Sequence, residues 1–416
     1  MTELSTRTIS RAEVPRPLSE PMPREFAVDD VINVQNYLKR LDNESKIEKA
    51  DFVPNTTGLY ESLTELRSEE IGEEPPADEH SFDKSVNTLL SVWGVQNNMP
   101  GPAPATLTET INLFTKNTKL NDESPIEFQG GAENASGRFV HVITGRVMGK
   151  HRKPETQRYY LNPRADKMGQ VVEELMGAAL QADVPLYFKF TNLATGRPSK
   201  RTLERTDRVV IFASEGQTVF IEDLLSQITA KSPEAFTGRK IAGFGEVLTD
   251  GVTKSDGITA KQVEKFKGRS EGASFNELRA RLIYDATIAV TRDLISLPET
   301  ASVKIGGQTI REKFVSKMRK EINRPNPGTV TIKENGPELD QAIGLGLTPE
   351  KLLSSGKFST GDTWVIDSAI SKVARDVIPR IQPASLLLGY HHYIRQLAPK
   401  YGIDPNNLAR NITMED

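Results

Sequence analysis

Val184-Pro185-Leu186-Tyr187-Phe188-Lys189-Phe190 decides how this chain is read. The apolar residues Leu186, Phe188 and Phe190 fall on every second position, the period of a strand with one face in a core. Tyr187, Lys189 and Thr191 take the opposite face. Just upstream, Met168, Val171, Val172, Leu175, Met176, Ala179 and Leu180 recur at helical spacing, so residues 166–182 read as a helix covering a sheet. Further strands read at residues 139–146, 158–161 and 209–213, and a second helix at 219–228. A long helix reads at 274–297, with Ser274 and Glu277 at the spacing of a capping box. This alternation predicts an α+β domain over residues 137–297, a small mixed sheet with covering helices.

The flanks read differently. Residues 1–24 combine Ser, Thr and Pro with mixed charge and cannot bury a core, the composition of a disordered tail. Residues 25–120 read as a helical N-terminal region, with helices at 29–41, 82–95 and 106–115. An acidic linker at 69–79 carries Pro75 and Pro76. The polar, Gly-rich stretch 121–136 reads as a domain boundary. Residues 298–416 read as a mostly helical C-terminal extension. It opens with a hairpin at 303–310 on Gly306-Gly307 and continues with helices at 311–322, 362–377 and 385–401.

A chain of 416 residues is long enough for two or three domains. It has no cysteine, which excludes disulfides, thiolate nucleophiles and cysteine metal sites. Its net charge of -3 gives no overall field for nucleic acid or an anionic membrane. No apolar run approaches the roughly 20 residues of a membrane helix, and the start has no apolar stretch of signal-peptide type. The expectation is a cytoplasmic protein, unless a specialised machine exports it.

Charge is nonetheless concentrated. Residues 138–208 hold fourteen Lys or Arg against seven Asp or Glu, a local +7. Such a bias is either a solvated basic face or an anion site. No Gly-rich loop follows the nucleotide-cradle patterns. Lys189, flanked by aromatic residues including Tyr187, is the sharpest candidate. Partial desolvation of a lysine favours its neutral amine, which can act as base or nucleophile. An ordinary solvated strand lysine fits the same pattern. Arg205, Arg208 and Arg279 are candidates for bidentate phosphate contacts, or for ordinary ion pairs. Asp207 is either a turn residue or the partner that orients an arginine. His141, in Phe139-Val140-His141-Val142-Ile143, is a candidate general acid or a half-buried core histidine. Adjacent His391 and His392 point to different helix faces, so no metal pair is predicted.

Four blocks in order, Tyr159-Tyr160-Leu161-Asn162-Pro163, the Lys189 strand, Arg205-Thr206-Asp207 with Val209-Val210-Ile211-Phe212, and Gly272-x-Ser274-Phe275-x-x-x-Arg279, resemble the HopA-type type III secretion effector family. The matching span, residues 159–285, is under a third of the chain. The resemblance implies either an injected virulence effector or a lyase of lanthipeptide or thioamitide pathways. Such a lyase eliminates phosphate from phosphoserine or phosphothreonine to leave a dehydroamino acid. It implies Lys189 as base, Arg205 and Arg279 as phosphate ligands with Arg208 as a neighbour, and no metal or organic cofactor. The implied partners are a phosphorylated peptide or protein and a separate kinase as the source of its phosphate. A non-catalytic effector that binds an acidic partner is the alternative, and the unstructured start suits an exported protein of either kind. The sequence departs from the family at Leu278, where relatives often carry histidine, at Asn276 in place of glycine, and across the charged stretch 253–269.

Overall fold

Seven strands form one sheet in the order β1-β2-β4-β5-β3-β7-β6, and each neighbouring pair is antiparallel. They are β1 (Ile126–Gln129), β2 (Phe139–Thr144), β3 (Glu155–Leu161), β4 (Leu186–Thr191), β5 (Val209–Ser214), β6 (Glu246–Thr249) and β7 (Val252–Asp256). The computed structural model describes residues 23–48, 54–64, 126–129, 139–144, 155–182, 184–191, 205–214, 216–239, 243–266, 275–323, 330–333 and 336–412. They divide into two compact units, Glu65–Gly257 with the sheet, and Pro23–Thr64 with Ile258–Asp416. The expected helices at 82–95 and 106–115, and residues 1–22 of the expected tail, lie outside the described residues.

The class is α+β, as the alternating patterns predict. The sheet, however, is antiparallel throughout rather than mixed, and larger than expected. β1 lies within the stretch read as a domain boundary. The β6–β7 hairpin was not legible because Lys254, Ser255 and Asp256 hide its period. Its turn needs Gly251, at φ 67°, where a Cβ would sit 3.1 Å from both Arg239 Cβ and Phe236 Cδ1. The same backbone accepts a 2.8 Å hydrogen bond from Asn162 N through the Gly251 carbonyl.

One face of the sheet is the core. Leu186, Phe188, Phe190, Val209, Ile211, Tyr159, Leu161 and Val252 are fully buried there. Two helices add their apolar stripes to this cluster. They are α3 (Met168–Gln181), through Met168, Val171, Val172, Leu175, Met176 and Ala179, and α4 (Thr218–Lys231), through Ile221, Leu224, Leu225 and Ile228. Each such side chain contributes about 1.5–3 kcal/mol on burial, which fixes the register, since a one-residue slip would reverse both faces. Opposite the core face lie Tyr187 and Lys189 of β4, Val210 and Phe212 of β5, Arg158 and Tyr160 of β3, and Thr253 and Ser255 of β7. Thr191 shares that parity but is fully buried, because its N–H and hydroxyl both donate to the Arg208 carbonyl.

The second unit is built on helices, among them the short α5 (Ala260–Phe266), α7 (Pro298–Ala301), α9 (Pro337–Gly344) and α10 (Pro349–Ser354). α1 (Val28–Glu48) and α2 (Thr56–Thr64) pack together, and α1 also meets two later helices, α11 (Thr360–Val377) and α12 (Pro383–Leu397). The long helix α6 (Phe275–Ser296) contacts α2, α11 and α12, and also α8 (Ile310–Ile322). This helix was expected to close the sheet domain. It lies instead in the helical unit, because its buried residues, from Phe275 through Ile295, run almost all round the helix and pack against other helices. Ser274, its expected cap, lies outside the described residues. The expected hairpin forms as β8 (Lys304–Ile305) and β9 (Gln308–Thr309), with Gly306 and Gly307 at φ 60° and 86°. α8 and α11 each start on a full capping box, Thr309 with Glu312 and Ser359 with Asp362.

Candidate anion-binding site

Three cations and two phenyl rings interleave on the sheet face that turns away from the core. Lys189 Nζ lies 4.2 Å from the centre of the Phe139 ring, and Arg205 Cζ lies 4.9 Å from the same centre. On the other side, Arg158 Cζ is 5.1 Å and Lys189 Nζ 6.0 Å from the centre of the Phe212 ring. Tyr187 stacks on Phe212, with centroids 4.4 Å apart at 19°. Backbone register produces this arrangement. Tyr187 faces Phe212 across β4 and β5, Phe212 faces Arg158 across β5 and β3, and Arg158 faces Ser255 across β3 and β7. Lys189, Tyr187, Phe212, Arg158 and Phe139 are half-buried.

Arg205 is oriented by Asp207. Its Nε and Nη2 donate to the two carboxylate oxygens of Asp207 at 2.8 Å each, with the side chains 9% and 8% exposed. Asp207 is thus the orienting partner of the two roles its position allowed. A bidentate pair of this kind fixes the guanidinium plane.

Tyr160 lies beside this row. Burial pushes its phenol up to about 12, while Arg158 and Ser255 pull the other way and Asp207 adds to the rise. The hydroxyl therefore stays protonated near neutral pH, a donor rather than an anion. Ser255 lies beside Tyr160 and is 1% exposed.

His141 is the backbone partner of Lys189 across β2 and β4. Arg208 is fully buried and donates from Nη1 to the Pro163 carbonyl at 2.8 Å, so it ties β5 to the chain leaving β3. Arg279 belongs to the helical unit. It is fully buried, its Nε donating to the Leu408 carbonyl at 2.9 Å and its Nη2 to Asn411 Oδ1 at 2.9 Å and the Arg410 carbonyl at 3.3 Å. Its guanidinium also lies over Phe275 at 3.7 Å. Both arginines were expected at phosphate. As placed, they cross-link backbone and present no surface, unlike the phosphate contacts that the family resemblance implied.

Phe139, Arg158, Tyr160, Phe212 and Ser255 were the residues sequence reading did not select. Alternation within the strand at 158–161 does put Arg158 and Tyr160 on one face. Only the cross-strand register, however, brings that face to Lys189. Asn162, in the Tyr-Tyr-Leu-Asn-Pro block, is structural. Its side-chain and backbone oxygens both accept from Arg239, at 3.0 and 3.2 Å.

Among the described residues no group of acidic or histidine side chains could hold a metal ion, and no helix is long and apolar enough to cross a membrane. The sequence matches no protein-family profile and no curated protein. In structure the chain is similar to an effector protein from Pseudomonas syringae pv. tomato strain DC3000. That similarity has a TM-score of 0.32 at 16% identity and covers 61% of this chain and 88% of the other. It is also similar to an effector protein from Pseudomonas syringae pv. syringae strain 61, with a TM-score of 0.34 at 9% identity, covering 61% and 93%. At these scores no residue is carried from one chain to another.

Proposed function

We propose that the sheet face holding Lys189 and Arg205 binds the phosphoryl group of a phosphorylated peptide or protein, and that the chain is a HopA-type phosphoserine/phosphothreonine lyase. The observation that carries the anion site is the placing of two cations over one ring, Phe139, with Arg205 oriented by Asp207. The rings partly exclude water, so charge–charge attraction is stronger there than in bulk solvent.

The reaction assigns one role to each group. Lys189, as the neutral amine, takes the Cα proton. The electron pair of that bond forms the Cα–Cβ double bond, and the Cβ–O bond breaks with its pair leaving on phosphate. Arg205 neutralises the departing phosphate. His141, the register partner of Lys189, supplies a proton to it. Nothing is oxidised or reduced, and no cofactor is required.

A second reading has its own support. A ring face attracts an ammonium rather than an amine, so Phe139 beneath Lys189 suits a cation that holds phosphate as well as a base. In that reading the chain is a non-catalytic effector that retains an acidic or phosphorylated partner. Export into a host cell accords with either.

The test is mass spectrometry of phosphoserine and phosphothreonine peptides incubated with the wild-type chain and with Lys189→Ala. Loss of phosphoric acid with wild type alone supports the lyase. Binding that requires Lys189, without loss of phosphate, supports the retaining effector. Neither binding nor loss would sink both readings.

A further inference from the structure

The helical unit holds a small cleft walled by three parts of the chain. Glu25 and Phe26 come from the segment ahead of α1, and His391, Ile394 and Arg395 from α12. Pro405 and Asn406 form the turn of a short hairpin, β10 (Ile403–Asp404) and β11 (Asn407–Asn411). Backbone and ring contacts hold these walls together. Leu408 N–H donates to the Arg24 carbonyl at 2.7 Å and Arg24 N–H to Asn407 Oδ1 at 3.0 Å, so the incoming chain runs along β11. Phe26 is buried, its ring 5.2 Å from that of Tyr390. Together with buried Ile394 it gives the cleft an apolar floor.

The polar lining carries both signs of charge. Glu25 brings a carboxylate and Arg395 a guanidinium, yet neither side chain forms a hydrogen bond or ion pair with any described residue. The Asn406 side-chain amide is likewise uncommitted among the described residues. His391 and Arg395 are one turn apart and so share a face of α12. His391 Nε2 lies 2.7 Å from the Phe26 carbonyl oxygen. A carbonyl only accepts, so Nε2 carries the proton and donates, and the neutral ring keeps Nδ1 as an acceptor.

We propose that this cleft binds a free α-amino acid by its two charged ends. The carboxylate meets the Arg395 guanidinium and the Asn406 amide, and the ammonium meets Glu25 and His391 Nδ1. A guanidinium presents the fork that matches a carboxylate, and a carboxylate with a ring nitrogen supplies acceptors for an ammonium. A simple anion or cation would leave the opposite charge of the cleft unmatched. The space is about 50 Å³ and opens to solvent. Two waters claim about 60 Å³ of liquid, so only the charged end of a small molecule enters and its side chain stays at the mouth. This site is independent of the anion-site reading above.

The experiment titrates the whole chain with glycine, L-alanine, acetate, methylammonium and Gly-Gly, followed by ligand-observed NMR. Glycine and alanine are expected to bind with Kd of about 1–10 mM, the weak range that a few exposed charge contacts support. Acetate and methylammonium, each with one charge, and Gly-Gly, with its charges further apart, should bind about tenfold more weakly. Glu25→Gln and Arg395→Gln alter exposed side chains, so both variants should fold as wild type by circular dichroism, and each should weaken glycine about tenfold. If neither glycine nor alanine binds at about 50 mM, the site is wrong. Equal binding of acetate or Gly-Gly and glycine would overturn the amino-acid assignment. Glycine binding unchanged in both variants would place the ligand elsewhere and overturn the proposal.

Discussion

Replacing Phe139 by leucine removes the ring that Lys189 and Arg205 share. Each cation lies within 5 Å of its centre, so the two charges are at most roughly 9 Å apart. Their bare repulsion at that distance is about 0.5–2 kcal/mol for an effective dielectric between 80 and 20, and the Asp207 carboxylate paired with Arg205 reduces it. Two cation–π contacts of about 0.5–1 kcal/mol each, more where water is excluded, offset it in the wild-type chain. Leucine preserves an apolar side chain on β2 but attracts neither cation. Phe139→Leu should therefore destabilise the sheet unit by about 1–3 kcal/mol in urea at low ionic strength. At about 1 M salt, where the Debye length is near 3 Å, the attraction of the ring for the half-buried Lys189 ammonium is screened and the loss should shrink. Phe139→Tyr, which retains the ring face, should stay within about 0.5 kcal/mol of wild type. Circular dichroism across a urea gradient at two salt concentrations reads all three values. A loss for Phe139→Leu that does not change with salt would refute the argument, because the ring would then be acting only as buried volume.

Three further outcomes are expected. Arg279→Lys should destabilise the helical unit by about 2–4 kcal/mol, since a lysine cannot reach Leu408, Arg410 and Asn411 together, yet leave the phosphopeptide Kd unchanged; a selective loss of affinity by titration calorimetry would return Arg279 to the site. Lys372 and Glu321 form a fully buried ion pair, with Ser368 Oγ also donating to Glu321 at 2.6 Å, so Lys372→Met should cost about 3–5 kcal/mol while Lys372→Met with Glu321→Leu recovers most of it in urea unfolding. Burial works to raise the Asp362 carboxyl, but donors from Thr331, Ser359 and Ile332 more than offset it and hold the group below the usual range. A depressed folded value means stability that is full above the unfolded carboxylate value of about 3.9 and is lost as pH falls through the folded one; thermal melts of Asp362→Asn should therefore show a weaker decline than wild type below about pH 4.

Much of the sheet unit was written in local pattern. Leu186, Phe188 and Phe190 at period two, and the α3 stripe at helical period, each fix a buried face without reference to distant residues. The Gly306-Gly307 hairpin was legible because its turn needs two positive φ angles in succession. Other elements were not legible. β7 carries Lys254 and Asp256 on its core-side parity, so polar residues break the alternation. Lys254 is accommodated there by a 2.8 Å ion pair to Glu222 of α4, a partner 32 residues away. The α6 helix fell in the other unit because its sequence, which mixes Glu277, Arg279, Arg281, Asp285, Arg292 and Asp293 with apolar residues, announces a helix but not the element it packs against.

The candidate site divides along the same line. The sequence by itself determined which residue types were available: a lysine amid aromatic residues, an excess of cations over residues 138–208, no cysteine, and the Arg205-Thr206-Asp207 spacing that lets one carboxylate face its neighbouring guanidinium. Tertiary structure decided which of those charges meet. Arg205, Arg208 and Arg279 are chemically alike in the sequence, yet one lies over an aromatic ring on a half-buried face and two are consumed by backbone carbonyls in the interior. The reason is that a guanidinium has five donors and takes whichever acceptors the fold places around it. Those acceptors, the carbonyls of Pro163 and of Leu408 and Arg410, arrive from segments 45 and about 130 residues away. No local pattern specifies a partner at that distance; strand register and helix packing do.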